Sequence, residues 1–233
     1  MASLRGIKGN LISYLALMLL CLAGILYGQS LEGRHQFLRV WDIATLAWMG
    51  VGIPFLFLQN SAGIPDFWET GITHRKRLLY PLLIGMVFGA LDVFVFKILL
   101  HPEPYTELPP FLQPFPYSLL LYLAGAFEVE VFYRLIPLTI FLLLGKKLAQ
   151  ARYYSHFLWT AVILTSLREP VEQLPSGDWT IIVYSLFTGF LMNFIQAIVF
   201  TRYGFISSLT LRLGHYLLWH ILLGAFVEYV ELG

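Results

Sequence analysis

The chain has 233 residues, of which 58% are hydrophobic and 12% are charged, and its formal net charge is +1 at pH 7. Soluble domains contain about 25% charged residues, so this composition predicts an integral membrane protein. The nearly balanced charge gives no reason to expect a nucleic-acid partner. The single cysteine, Cys21, excludes an internal disulfide.

Mostly apolar stretches follow one another along the whole chain. The length of each stretch is close to the roughly 20 residues that a membrane-spanning helix needs. We predict seven such helices, at residues 10–28, 39–59, 78–100, 117–145, 156–174, 179–201 and 205–230. The first lacks a clear small-residue cleavage site behind it, so we expect a retained helix rather than a signal peptide. Because the loops are short, the sequence predicts one all-α domain over residues 1–233, a polytopic membrane helix bundle.

Positive charge is distributed unevenly over the predicted loops. The N-terminus and the loops after the second, fourth and sixth helices hold nine Lys and Arg residues, whereas the alternate loops hold two, Arg34 and Arg39. By the positive-inside rule, the N-terminus is expected in the cytoplasm and the C-terminus outside. The short loops and the lack of a soluble domain favour the cytoplasmic membrane of a prokaryote.

Ionisable side chains occur near the middle of several predicted helices. A charge there costs roughly 2.5–3.5 kcal/mol, so such groups are expected to face a partner, a water-filled cavity or a substrate. With a rise of about 1.5 Å per residue, four of them lie about 20–22 Å from the cytoplasmic end of their helices: Asp92, Glu130, Glu169 and His220. Arg134 and His215 lie about one turn deeper. We therefore expect these side chains to converge on a shared cavity.

Helical spacing predicts which of these side chains share a face. Glu130 and Arg134 are four residues apart and can pair. Glu128 lies about 200° around the helix from Glu130 and is expected to point elsewhere. His215 and His220 are separated by about 140°, so both can face one site only if the helix is distorted.

Other spacings predict packing rather than chemistry. Arg168 and Glu172 form a further pair four residues apart. Asp92 and Lys97 are expected to be an inward polar contact and a snorkelling lysine. The small residues Gly85 and Gly89, four apart, indicate a close helix contact. Since the polar layer contains no Cys or His partner at ligand spacing, a zinc site has little support and we expect no cofactor, although Glu130, Glu169 and one His could together bind a metal.

The sequence Val129-Glu130-Val131-Phe132-Tyr133-Arg134 resembles a motif of the CAAX-processing and bacteriocin-processing (Abi) family of intramembrane proteases. The family motif is Glu-Glu-x-x-x-Arg, so Val129 stands at the leading Glu. A later helix of the family carries Phe-x-x-x-His, and Glu169 stands about where that His belongs. The last core helix carries His-x-x-x-Asn or His-x-x-x-Asp, and His215 is followed by Trp219 at the last position. The resemblance covers roughly residues 117–225.

The resemblance implies a glutamate-dependent hydrolysis of peptides, in which a Glu and a His activate water while another polar group stabilises the oxyanion. It implies a membrane-associated peptide as the substrate and the lipid bilayer as the surroundings. The catalytic residues that it implies, together with the buried charges, are Glu130, Arg134, Glu169, His215 and His220. Two alternatives remain open. One is a non-catalytic relative that binds a membrane peptide or lipid, and the other is a small-solute or proton-coupled transporter, since acids and histidines at one depth also suit a proton relay.

Overall fold

A computed structural model describes residues 4–148 and 152–233 of the chain, and the described part is all-α. Every span predicted from the sequence overlaps one of its seven helices. The helices are α1 (Leu4–Leu31), α2 (Ile43–Ala62, with a 3₁₀ turn at Gly50–Gly52), α3 (Arg75–Leu99), α4 (117–147), α5 (Tyr154–Glu172), α6 (Trp179–Tyr203) and α7 (Phe205–Glu231).

Five of these helices are long and apolar enough to cross a bilayer, namely α1, α2, α3, α6 and α7. The chain is therefore a multi-pass membrane protein. The other two, α4 and α5, contain three ionisable residues each within a short stretch: Glu128, Glu130, Arg134, Arg168, Glu169 and Glu172. These two helices therefore bring a concentrated set of charged side chains into the bundle.

The central helix is α4. Its first half packs against α1 and α7, and its second half packs against α2 and α5. Helix α3 packs closely along α7, as the spacing of Gly85 and Gly89 predicts. A Cβ atom at Gly85 would overlap the carbonyl oxygen of Leu211, and one at Gly89 would lie 2.6 Å from the carbonyl oxygen of His215. Only a residue without a side chain permits this approach of the two backbones.

Wide π-helical turns interrupt the helices that carry the ionisable residues. They lie at Val93–Leu99 in α3, Val131–Leu135 in α4 and Leu217–Leu222 in α7. Such turns contain more residues per revolution than an α-helix and are frequent at functional sites. Each one changes the direction in which the following side chains point, so facing angles calculated for a regular α-helix do not hold across it.

The segment between α3 and α4, residues 100–116, is fixed to the end of α7. The carboxylate of Glu231 accepts the backbone N–H of Tyr105 at 2.9 Å, and that of Glu228 accepts the N–H of Phe115 at 2.7 Å. The Phe111 ring stacks on Trp219 with centroids 5.2 Å apart. This α3–α4 segment therefore covers one end of the helix bundle.

At the opposite end, the segment between α2 and α3 is tied to α1. The carboxylate of Asp66 accepts hydrogen bonds from the amides of Asn10 (2.7 Å) and Asn60 (2.9 Å). Gly204, which joins α6 to α7, has φ +84°, and a Cβ there would lie 3.0 Å from the carbonyl oxygen of Pro65. A residue with no Cβ fits both the left-handed backbone and the contact.

Candidate functional site

A cavity of about 980 Å³ lies between helices α2 to α7, and Phe111 of the α3–α4 segment is one of its lining residues. Its wall combines aromatic side chains, among them Trp41, Tyr122 and Trp219, with several ionisable and amide groups. The latter are Arg39, Asp92, Glu128, Arg168, Glu169, Gln173, Asn193, Arg212, His215 and His220. A concave, mainly apolar site with a few convergent polar groups is typical of ligand-binding cavities.

The residues predicted as catalytic occupy two positions relative to this cavity. Glu169, His215 and His220 line it, whereas Glu130 and Arg134 are fully buried behind the wall. On α4, the acid that faces the cavity is Glu128. The sequence indicates correctly that Glu128 and Glu130 point in different directions, but it does not indicate which of them meets the cavity.

Glu130 and Arg134 bind other partners instead of each other. Gln196 Nε2 donates to Glu130 Oε1. The Arg134 guanidinium donates to the carbonyl oxygens of Thr165 (3.2 Å) and Asn193 (3.3 Å). In the described part of the chain no hydrogen bond or ion pair joins Glu130 to Arg134. The π-helical turn at Val131–Leu135 explains this, because it moves Arg134 away from the position that an i+4 residue has in a regular α-helix. Arg134 thereby connects α4 to α5 and α6.

The strongest ion pair of the wall involves a residue that the sequence prediction missed, Arg212. Its terminal nitrogens contact the two carboxylate oxygens of Glu169 at 2.7 and 2.5 Å. Arg212 also donates to Asn193 Oδ1 and Gln196 Oε1, both at 3.0 Å. The only sequence signal was that Arg212 precedes His215 by three residues and so shares its face of α7.

These contacts form one buried network. The amide side chains of Gln196 and Asn193 bridge the Glu169–Arg212 pair to Glu130 and Arg134. Two carboxylates and two guanidiniums sum to zero charge, which is the arrangement that a low-dielectric interior tolerates best. The network joins α4, α5, α6 and α7 directly behind the cavity.

The second polar group of the wall is an oriented imidazole. His215 Nε2 lies 2.7 Å from Asp92 Oδ2, and the Tyr184 hydroxyl donates to Asp92 Oδ1 at 2.9 Å. A carboxylate only accepts, so Nε2 carries the hydrogen, and in the neutral ring Nδ1 then keeps its lone pair. Nδ1 is buried and has no hydrogen-bond partner among the described residues. Asp92 is thus the predicted inward polar contact, and the Lys97 ammonium pairs with Glu231 at 2.8 Å.

His220 is oriented in a similar way by the α3–α4 segment. Its Nδ1 lies 2.9 Å from the carbonyl oxygen of Phe111, and its ring stacks on Tyr122 with centroids 4.3 Å apart. The rings of His215 and His220 are 6.3 Å apart. The π-helical turn at Leu217–Leu222 is the distortion that allows both histidines to reach one cavity.

Within residues 4–148 and 152–233, no group of three or more His, Cys, Asp and Glu side chains is arranged to hold a metal ion.

The predicted Arg168–Glu172 pair is present, with Nε and Oε1 2.8 Å apart, at the accessible edge of the cavity.

Comparison with known proteins yields no match to a family model, a curated protein or a solved structure. The function has to be inferred from the cavity and its wall.

Proposed function

We propose that the protein is an intramembrane endopeptidase that hydrolyses a membrane-associated peptide, as a divergent relative of the CAAX-processing protease family that it resembles. In this proposal all seven helices cross the cytoplasmic membrane of a prokaryote, with the N-terminus in the cytoplasm. The observation that carries the proposal is His215, which lines a large cavity, is held through Nε2 by Asp92, and has a buried Nδ1 with no hydrogen-bond partner among the described residues.

His215 is suited to act as the general base. A base for hydrolysis needs a free lone pair near the attacking water and a partner that stabilises the protonated ring. Nδ1 supplies the lone pair, and Asp92 lies on the opposite side of the ring to stabilise the imidazolium. Tyr184 in turn holds Asp92. A water that enters beside Nδ1 with the peptide would lose its proton to His215 as its oxygen attacks the peptide carbonyl carbon. When the intermediate collapses, the C–N bond breaks and the imidazolium returns this proton to the leaving amine nitrogen.

Arg212 is suited to stabilise the oxyanion that this attack creates. Its terminal nitrogens are engaged by Glu169, but its Nε–H is buried without a hydrogen-bond partner among the described residues. Such a fixed donor in a site of low dielectric constant stabilises developing negative charge effectively. Glu130 and Arg134 then act as positioning residues, since they hold the amides of Gln196 and Asn193 that contact Arg212.

A second candidate function is supported by two features of the wall. Val129 lines the cavity at the position where the resembled family has its leading Glu, and Glu169 is already bound by Arg212. Both features favour a non-catalytic relative that binds a membrane peptide without cleaving it.

The two candidates are separated by mapping peptide termini after incubating a membrane proteome with purified protein. We expect new termini with the wild type, none with His215→Gln, and wild-type termini with His156→Gln, an exposed histidine outside the cavity. Glu130→Gln should reduce cleavage without moving the cleavage positions, because Glu130 does not line the cavity. Identical termini with wild type and His215→Gln would eliminate His215-dependent hydrolysis. Peptides that cross-link to the cavity without new termini would favour the binding protein.

A further inference from the structure

Two charged groups on the cavity wall have no role in the proposed hydrolysis and no ion-pair partner. They are Arg39, which precedes α2, and Glu128 of α4. Neither side chain forms a hydrogen bond or ion pair with any residue in 4–148 or 152–233. The other charged side chains of the wall belong to pairs, namely Asp92 with His215, Glu169 with Arg212, and Arg168 with Glu172.

The backbone of Arg39 is held firmly while its guanidinium remains free. Its N–H donates to Gln113 Oε1 at 2.8 Å, and its carbonyl oxygen accepts from the Tyr117 hydroxyl at 2.6 Å. Gln113 and Tyr117 are each only 1% exposed. A guanidinium on a fixed backbone, with its donors unoccupied, is well suited to bind a phosphate or carboxylate by paired hydrogen bonds.

Glu128 lies on the same side of the cavity, beside an aromatic ring. Arg39 and Glu128 are close enough for their charges to interact, but they do not form an ion pair. The Trp41 ring packs over α4, where a Cβ at Gly125 would lie 3.5 Å from it, one helical turn before Glu128. Glu128 and Trp41 both line the cavity, and a carboxylate and an aromatic ring each attract an ammonium group.

We propose that this part of the cavity binds the headgroup of a zwitterionic phospholipid with a primary amine, phosphatidylethanolamine, with its phosphate on Arg39 and its ammonium on Glu128. A ligand that carries both charges compensates both wall groups at once. An anionic lipid would leave Glu128 without a partner, and a quaternary ammonium offers Glu128 no N–H donor. The aromatic wall then accommodates the first part of the acyl chains. This inference goes beyond the proposed function, since it concerns binding alone and does not require hydrolysis.

The test is native mass spectrometry of the purified full-length protein after exchange into vesicles or micelles that contain phosphatidylethanolamine, phosphatidylcholine or phosphatidylglycerol. We expect selective retention of phosphatidylethanolamine. Arg39→Gln and Glu128→Gln should each weaken retention about tenfold, because each removes one charge-assisted contact. Arg39→Lys should retain part of it. Arg34→Gln and Glu107→Gln, which change exposed charges outside the cavity, should leave retention unchanged.

Three results would overturn the proposal. Equal retention of phosphatidylglycerol would indicate a simple anion site on Arg39. Unchanged retention in the folded Arg39→Gln and Glu128→Gln variants would place the lipid elsewhere, with folding verified by an unchanged size-exclusion profile. Displacement of the lipid by soluble phosphoethanolamine at equal concentration would assign the site to a free zwitterion instead of a lipid. The terminus-mapping experiment with His215→Gln is independent of all three.

Discussion

Arg212 holds Glu169 through two hydrogen bonds of 2.7 and 2.5 Å, one from each terminal nitrogen of the guanidinium. Their side chains are 1% and 7% exposed, so water contributes little to the solvation of either charge. The pair links α5 to α7 at the wall of the cavity. Each side chain compensates the charge of the other. Replacing one of them at a time therefore tests how much this compensation contributes to stability.

Glu169→Gln is expected to lower the free energy of unfolding by about 3–5 kcal/mol, because the Arg212 charge remains buried without compensation. The double variant Glu169→Leu with Arg212→Met should lose less than either of the two corresponding single variants, since neither charge is then left buried without its partner. Thermal unfolding in detergent measures both. Glu172→Gln is the matched control, because its partner Arg168 is 47% exposed and the pair contributes at most about 1 kcal/mol. A double variant less stable than both singles would contradict this interpretation.

Asp92→Asn is expected to slow peptide cleavage by about 100-fold or more, because the imidazolium of His215 loses the charge that stabilises it. Tyr184→Phe should have a smaller effect, since it removes only the hydroxyl that holds Asp92. The cleavage rate of a peptide identified by terminus mapping is the measurement. Cleavage by Asp92→Asn at the wild-type rate would exclude His215 as the base that Asp92 supports.

Gly89→Ala is expected to impair both stability and cleavage, because its Cβ would press on the His215 backbone and move that helix away from α3. The loss of stability should reach about 1–3 kcal/mol, as for other overpacked positions. Gly9→Ala is a suitable control, since the nearest atom to its Cβ would be a Trp68 ring carbon at 3.6 Å, an ordinary contact. Unfolding and cleavage are measured in parallel. A Gly89→Ala variant that behaves like Gly9→Ala would mean that α3 and α7 separate at little cost.

Glu231→Gln and Glu228→Gln are expected to increase proteolysis within the α3–α4 segment, because each carboxylate holds a backbone N–H of that segment. Glu231→Gln should have the larger effect, since it also removes the ion pair with Lys97. Limited proteolysis followed by mass spectrometry locates the cleavage sites. Glu107→Gln, an exposed acid of the same segment, is the control. Equal rates in all three variants would show that these carboxylates do not anchor the segment.

Gly204→Ala is expected to lower the unfolding free energy by about 1–3 kcal/mol, because it combines a left-handed backbone with a close contact to the Pro65 carbonyl. Gly33→Ala isolates the backbone contribution, since Gly33 also has a positive φ of 79° but no atom lies within 4 Å of its Cβ. Thermal unfolding of the two variants gives the difference. Equal losses would show that the Pro65 contact adds nothing.

The helices were predictable because long apolar stretches are a strong and local signal. The sixth span was predicted at 179–201 and is found at Trp179–Tyr203, and the Gly85 and Gly89 spacing correctly indicated a close contact between helices. Such features depend on composition within one segment, and they do not require knowledge of which helices are neighbours.

The contacts between helices were harder to predict. The partner of Asp92 lies 123 residues away in the sequence, and nothing local to α3 distinguishes His215 from Lys97 as that partner. The π-helical turns have no reliable sequence signature, although one of them separates Glu130 from Arg134. Arg212 was missed because a single arginine in an apolar helix does not reveal that an acid faces it from another helix.

Because of the π-helical turn at Leu217–Leu222, the composition of the cavity wall depends on how many residues this turn contains as well as on which residues they are. Deletion of one residue from this turn would relax it to a regular α-helix without the loss of any ionisable side chain. Every residue beyond the deletion would rotate by about 100°, so His220 would leave the cavity and lose Phe111. Among homologous chains, an intact set of acids and histidines would therefore not suffice to identify the same site. The length of α7 between His215 and His220 would have to be preserved as well.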